Sequence, residues 1–262
     1  MDYMNITNTL QEQLIVFAAG EEYKEAAQAL ADHLQVKFTM AQEQAYAMPL
    51  ALRLGDKGLT LTDGNQEMRG DLTKMLPRIK KGRVESELLV KASRIRGAQG
   101  PLLAIDATAG MGEDSILLAA AGFTVHMYER DPVIAALLGD AVRRAREIPE
   151  LSAIAGRMHL FEEDSVAALQ KMGEPELPDV VVLDPMFPER QKSALVKKKF
   201  QLIHQLEKPC DAEEELLAAA IAAHPRKIVI KRPVKGPNLA GRKPDYTISG
   251  KAVRYDCISI AR

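Results

Sequence analysis

Hydrophobic positions along the chain fall into two kinds of pattern. Leu14-Ile15-Val16-Phe17-Ala18 is a short unbroken apolar run closed by Gly20, and Glu21 to Leu34 then carries apolar residues at helical spacing (Tyr23, Ala26, Ala27, Leu30, Leu34). Ala47 to Leu54 and Leu59 to Thr62 flank Gly55-Asp56-Lys57-Gly58, whose glycines and aspartate supply the dihedrals of a tight turn, so this stretch predicts a β-hairpin. Residues 1–73 therefore read as a small α/β lobe. Lys74 to Arg96 is different: eight cations stand against Glu85 and Glu87, and Glu85 to Ile95 has helical periodicity. We read it as a basic entry helix into a second domain, residues 74–262.

From Leu102 onward strands and helices alternate. Strands are expected at Leu102–Asp106, Thr124–Glu129, Met158–Glu162, Val180–Asp184, Lys227–Lys231 and Tyr255–Ile260. Helices are expected at Asp114–Ala121, Pro132–Glu147, Val166–Met172 and Glu213–Ala223. Such alternation predicts parallel strands joined by helical crossovers, a doubly wound Rossmann-like sheet. Ligands of such sheets bind beyond the carboxyl ends of the strands, which makes the strand ends the places to read for chemistry.

Composition narrows the class. The 262 residues are 47% hydrophobic and 27% charged, as in an ordinary soluble globular protein. The net charge of −1 gives no global argument for a nucleic-acid partner, so only local basic clusters can make that case. Cys210 and Cys257 have no CxxC partner or His/Cys cluster, so neither a structural zinc nor any other metal is expected, and both read as free thiols. No apolar run reaches the ~20 residues of a membrane span, and Met1 to Gln13 shows no basic region of a signal peptide. A cytoplasmic location is expected.

The first strand runs into Asp106-Ala107-Thr108-Ala109-Gly110-Met111-Gly112, followed by a helix. Small residues let backbone approach a ligand, and a helix N-terminus offers N–H groups. A nicotinamide dinucleotide would suit such a loop too. Gly110-Met111-Gly112-Glu113-Asp114-Ser115 only approximates GxGxxG, however, and Glu113 and Asp114 would face a pyrophosphate poorly. They suit a phosphate-free, cationic cofactor such as S-adenosylmethionine. The loop residues Asp106, Gly110, Gly112, Glu113 and Asp114 are accordingly taken as cofactor-binding. At the second strand end, Glu129 before Arg130 can accept hydrogen bonds from a ribose diol. After the third, Asp164 and Ser165 can accept from an adenine amino group, or Asp164 can cap the following helix.

The fourth strand ends in Asp184-Pro185-Met186-Phe187-Pro188, similar to the (Asp/Asn)-Pro-Pro-(Tyr/Phe) motif of amino-group methyltransferases, with Met186 in place of the second proline. An exocyclic amine is a poor nucleophile because its lone pair is delocalised into the ring. Asp184 and the Pro185 carbonyl can each accept one N–H bond, drawing the nitrogen toward a tetrahedral shape, while Phe187 stacks on the base. A sulfonium is already an activated methyl donor, so no metal or covalent nucleophile is required.

Asp106 to Gly110, Glu129-Arg130 with the Pro132-Val133 and Ala135 to Leu138 that follow, Leu183 to Pro188, Gln191 to Lys198 and Lys231-Arg232-Pro233 together resemble the RsmJ family. The resemblance runs from about residue 75 to 260. It implies a class I methyltransferase fold and S-adenosylmethionine-dependent methylation of a guanine N2 in 16S ribosomal RNA. It also implies cofactor contacts at Glu113, Asp114, Glu129, Arg130, Asp164, Ser165 and Asp184, although Glu113 stands where the family pattern has a basic residue.

Basic runs agree with an RNA substrate. Arg190, Lys192, Lys197, Lys198 and Lys199 follow the catalytic turn, and Arg226 to Lys243 contains no acid. Lys192, Lys197, Lys198, Lys231 and Arg232 are taken as RNA-binding, with 16S rRNA or the small ribosomal subunit as partner. His126, His159 and His204 show no triad or ligand spacing. Three alternatives stay open at this point: amino-methylation of DNA adenine or protein glutamine, a nicotinamide-dependent oxidoreductase, and a non-catalytic RNA-binding protein on the same fold.

Overall fold

The computed structural model describes residues 12–98, 100–173, 177–185 and 213–261. They fall into two compact units, one drawn from Met1–Asp71 and Ala136–Arg144, the other from Leu72–Ala135, Ala145–Pro188 and Pro209–Arg262.

The first unit begins with β1 (Leu14–Ala18), all five residues buried. Helix α1 (Lys24–Leu34) places Ala27, Ala31 and Leu34 on one inward stripe. Then follow β2 (Lys37–Thr39), α2 (Gln42–Tyr46), β3 (Leu50–Gly55), β4 (Gly58–Thr62) and β5 (Glu67–Met68). The five strands form one sheet in the order β2-β1-β3-β4-β5. β1 is parallel to β2 and β3, and the later strands are antiparallel. The hairpin expected around Gly55 to Gly58 joins β3 to β4. Gly58 has a φ of 83°, and a Cβ there would run into the side chains of Arg144 and Asp140.

The second unit opens with α3 (Leu76–Ile79) and α4 (Leu88–Ser93). The single helix expected at Glu85–Ile95 is shorter than its periodicity implied. Residues 84–86 form a separate 3-10 turn, and the chain turns extended at Arg94. The buried Lys227 ammonium accepts the load of that helix end by donating to the carbonyls of Ala92 (3.0 Å) and Arg94 (2.5 Å). Next come β6 (Leu103–Asp106), α5 (Glu113–Ala120), β7 (Thr124–Tyr128), α6 (Pro132–Arg146), α7 (Pro149–Ala155), β8 (Met158–Phe161), α8 (Ser165–Lys171) and β9 (Val180–Leu183). After the undescribed stretch the chain resumes with α9 (Glu213–Ala222), β10 (Lys227–Pro233), β11 (Tyr246–Ser249) and β12 (Val253–Ser259).

These strands make a seven-stranded sheet, β11-β12-β10-β9-β6-β7-β8. The five strands from β8 to β10 are parallel, as the alternation required. β9 is Val-Val-Val-Leu and fully buried, the continuous apolar run of a strand covered on both faces. β12 instead runs antiparallel to both β10 and β11, which the sequence reading did not foresee. Only a 3-10 turn at Leu239–Gly241 lies among these last three strands, and antiparallel neighbours need only a short connection, which for β11 and β12 is residues 250–252. The chain builds outward from β6 through β7 to β8, then returns to the other side of β6 as β9. The sheet therefore reverses its direction of growth between β6 and β9, and a crevice opens beyond their carboxyl ends. Among the described residues no helix is long and apolar enough to cross a membrane.

The middle of α6, Ala136–Arg144, belongs to the first unit, and there Asp140 bonds to the hairpin. Its carboxylate accepts from the Leu59 amide (2.9 Å), Arg143 (2.9 Å) and Arg144 (2.7 Å), and Arg144 also donates to the Gly70 carbonyl. Asp140→Ala leaves the Leu59 amide and Arg144 without this acceptor. We expect a cost of about 1–3 kcal/mol, read as a lower Tm in thermal denaturation.

Candidate active site

The glycine loop after β6 is stitched to both neighbouring strands. Ala107 N–H donates to the Val182 carbonyl (3.0 Å) and Ala109 N–H to that of Tyr128 (3.2 Å). Gly110 and Gly112 have φ of 52° and 75°, left-handed values that glycine adopts without steric cost. Gly112 N–H closes the turn on the Ala109 carbonyl (2.8 Å) and leads into α5, whose first turn holds Glu113 and Asp114.

Asp106 was expected to touch the cofactor directly, and the structure corrects this. Its carboxyl is 2% exposed and lies beneath the loop, accepting from Ser115 Oγ (2.5 Å) and the Thr108 amide (3.2 Å). Burial pushes it up to about 7, helped by the charges of Asp114 and Asp184 and opposed by the Ser115 hydrogen bond. It braces the loop from below.

Glu129, at the end of β7, reaches the same loop. One carboxylate oxygen accepts from Gly110 N–H (3.0 Å), the other from Asp131 N–H (2.9 Å). Burial raises its pKa, and the two amides partly offset that rise. Of the two roles open for Asp164, the capping one is visible. Its Oδ1 accepts from Val166 N–H (2.8 Å) and Ala167 N–H (3.2 Å) at the start of α8, where Ser165 is the first residue. Its Oδ2 lies 3.9 Å from Arg130, in an exposed pair.

Across the crevice, the Asp184 amide donates to Thr108 Oγ1 (2.7 Å), tying the end of β9 to the glycine loop. The Lys231 ammonium, near the end of β10, lies 2.7 Å from Asp114 Oδ2 and 2.8 Å from Asp184 Oδ2. Burial alone would lower its pKa, but the two carboxylates outweigh burial and hold it protonated well above the usual lysine range. Tyr255 on β12, opposite Lys231 in the ladder, is held far above the normal phenol range, first by burial and then by Asp114.

The RNA-binding roles expected for Lys231 and Arg232 are corrected by this geometry. Lys231 is engaged within the site. Arg232 points to the other face of β10, as adjacent strand residues must, and is 1% exposed. It donates to Glu213 (3.0 Å) and to the Pro237 carbonyl (2.9 Å). In the same acid-free run Lys227 is also buried, whereas Lys235, Arg242 and Lys243 are exposed. Met186, Phe187, Pro188, Arg190, Lys192, Lys197, Lys198, Lys199, His204 and Cys210 lie outside the described residues. Cys257 is a buried free thiol. Among the described residues no group of three or more His, Cys, Asp or Glu could hold a metal. Sequence reasoning missed Thr108, Ser115 and Tyr255 and misplaced Lys231. The one signal for Lys231 was its place near the carboxyl end of a strand beside Asp184's strand.

Four carboxylates stand at the carboxyl ends of the strands and the helix starts after them: Asp114 at the start of α5, Glu129 after β7, Asp164 capping α8 and Asp184 after β9; they are acceptors for hydroxyl and amino donors and favour a cation. They do not match a pyrophosphate. Residues 33–260 fit the SAM_MT model of SAM-dependent methyltransferases. The ribosomal RNA small subunit methyltransferase J of Thioalkalivibrio sulfidiphilus is 38% identical over 91% of this chain and 94% of its own. That of Pseudomonas paraeruginosa is 38% identical over 96% of each chain.

The chain belongs to the RsmJ family.

A solved SAM-dependent methyltransferase from Neisseria gonorrhoeae agrees with the RsmJ assignment, at 27% identity and a TM-score of 0.72 over 95% of this chain and 96% of that one. The class I fold and the S-adenosylmethionine cofactor follow from the family, and the nicotinamide alternative falls with them. In this RsmJ protein Gly110, Gly112 and Asp114 lie in the loop and first helical turn after β6, and Glu129 is bonded to that loop from the end of β7.

The raised pKa of Asp106 has a consequence for stability. Between the ordinary carboxyl value near 3.8 and about 7 the folded protein keeps a proton that the unfolded chain has released, so stability falls as pH rises through that window. Asp106→Asn cannot ionise. Its Tm is expected to fall less than that of the wild type between pH 5 and pH 7.5, as thermal melts at the two pH values would show.

Proposed function

We propose that this protein transfers a methyl group to the exocyclic N2 of a guanine in 16S ribosomal RNA, as free RNA or within the small ribosomal subunit, in the cytoplasm. The observation that carries the reading is the 2.7 Å bond between the Asp184 amide and Thr108 Oγ1, which couples the amine-binding turn to the cofactor loop. The names of the relatives support the ribosomal substrate. In this reading the methyltransferase domain is residues 74–262, and residues 1–73 form an accessory lobe.

Bound S-adenosylmethionine supplies a methyl group already activated by its sulfonium. Glu129 accepts from the ribose hydroxyls, while Asp164 and Ser165 serve the adenine end. Asp184 and the Pro185 carbonyl each accept one N–H of the guanine amine, which localises its lone pair on nitrogen. Phe187 stacks on the base and holds it at attacking distance. Asp184, or a water beside it, takes the released proton. Lys192, Lys197 and Lys198 contact RNA phosphates, together with exposed Lys80, Lys81, Arg83, Arg242 and Lys243.

Mass-spectrometric mapping of 16S rRNA from a deletion strain tests the substrate, and the loss of one N2-methylguanine is expected. An unchanged guanine methylation map would refute it. Asp184→Ala is expected to lower kcat by roughly 10²–10³-fold, the scale for losing a key polar contact to the reacting group, with an unchanged circular dichroism spectrum.

A further inference from the structure

Among the described residues, Lys231 brings to the reaction centre a cation that the amine chemistry above does not use. Lys231 reaches it from β10, and its two partners come from separate elements, Asp114 from the first turn of α5 and Asp184 from the end of β9. Three further groups face this cluster: Tyr255 from β12, Arg78 from α3 and Asp106 from β6. Tyr255 is held protonated by burial. The Arg78 guanidinium is taken up by both oxygens of Glu87, at 3.0 and 2.7 Å. Burial keeps Asp106 protonated below about pH 7, where two carboxylates and one ammonium at the centre leave a single net negative charge.

Such a lysine makes a poor ligand for an RNA phosphate. Two carboxylates within 3 Å already neutralise it, and both would repel a phosphate oxygen. It is well placed to act on Asp184. The backbone of that residue is fixed by Thr108 and its Oδ2 by Lys231, so the carboxylate is held from two directions. An arriving amine then meets an acceptor that is ionised and already aimed.

We propose that Lys231 is a positioning residue for methyl transfer: its ammonium links Asp114 to Asp184, aims the Asp184 carboxylate, and sets the charge of the centre at one net negative, which a sulfonium brings to neutrality. This rests on the methyltransferase reading but is independent of which RNA is the substrate.

The test is calorimetry of the full-length protein with S-adenosylmethionine and with S-adenosylhomocysteine, whose sulfur is neutral. Removing the ammonium deepens a negative potential, and the sulfonium is the one charge by which the two ligands differ. In Lys231→Met the ratio of affinities for the two ligands should therefore rise about fivefold or more. On an RNA substrate that the wild type methylates, kcat should fall at least about tenfold, and the acid limb of its pH profile should move to higher pH, because Asp184 has lost the neighbouring cation that favours its charged form. Lys231→Arg should restore the ligand ratio and most of kcat, which a loss of packing alone would not predict. Lys231→Gln carries the same expectation for the ratio if the methionine variant folds poorly. An unchanged or lowered ratio, or a wild-type kcat with an unmoved acid limb, would overturn the proposal. So would weaker RNA binding with a reduced salt dependence and unchanged kcat, which would make Lys231 a phosphate ligand. The ligand ratio is read without RNA, so a wrong ribosomal substrate leaves it intact. A wild type that binds neither ligand would overturn this proposal and the methyltransferase reading together.

Discussion

Two strand ends, those of β6 and β9, lie side by side because the sheet reverses its direction of growth between them. That reversal is what brings a glycine loop and an acidic turn, 76 positions apart in the chain, within one hydrogen bond of each other. The proposed chemistry needs both segments. The loop after β6 has the small residues that let backbone approach a ligand closely. The end of β9 carries Asp184, the carboxylate to which the proposal assigns the exocyclic amine. Parallel strands keep both at the same edge of the sheet, and the β9–β10 pairing adds Lys231 to that edge.

The site is held by buried polar groups, each with its partners. Asp106 sits under the loop with Ser115 and Thr108, and Glu129 ties the loop to the end of β7. Behind β10, Arg254 donates to Asp256, to the carbonyls of Pro233, Val234 and Gly236, and to Asn238. One guanidinium thereby fixes the turn that leaves the strand carrying Lys231. Desolvating such groups is costly unless their hydrogen bonds are made. Once made, the bonds leave the surrounding backbone few alternatives, which is how a crevice can hold reacting groups in place.

The fold was legible where local pattern and tertiary demand agreed. α6 and β9 were readable because a helical stripe or an apolar run needs only local residues to be recognised. The glycine loop was readable for the same reason, since its dihedral requirement is written in residue type. β11 and the antiparallel setting of β12 were not, because which strand pairs with which is decided by connections between distant elements. The burial of Arg232 and Lys227 was hidden for a related reason. A run of cations looks alike in sequence whether it faces water or is drawn inward by a carboxylate such as Glu213 or by helix-end carbonyls.

Lys231 and Arg232 are neighbours in sequence yet face opposite sides of one strand, the first toward Asp184 and the second toward Glu213 at the start of α9. A strand has a side-chain period of two, so sliding β10 by a single residue would exchange the sides they face and bring Arg232 to the place of Lys231. The broad, forked guanidinium would then enter the crevice, and the slender ammonium would be left beneath the helix. The alignment of β10 with β9 and β12 is thus also what decides which cation the reaction centre receives.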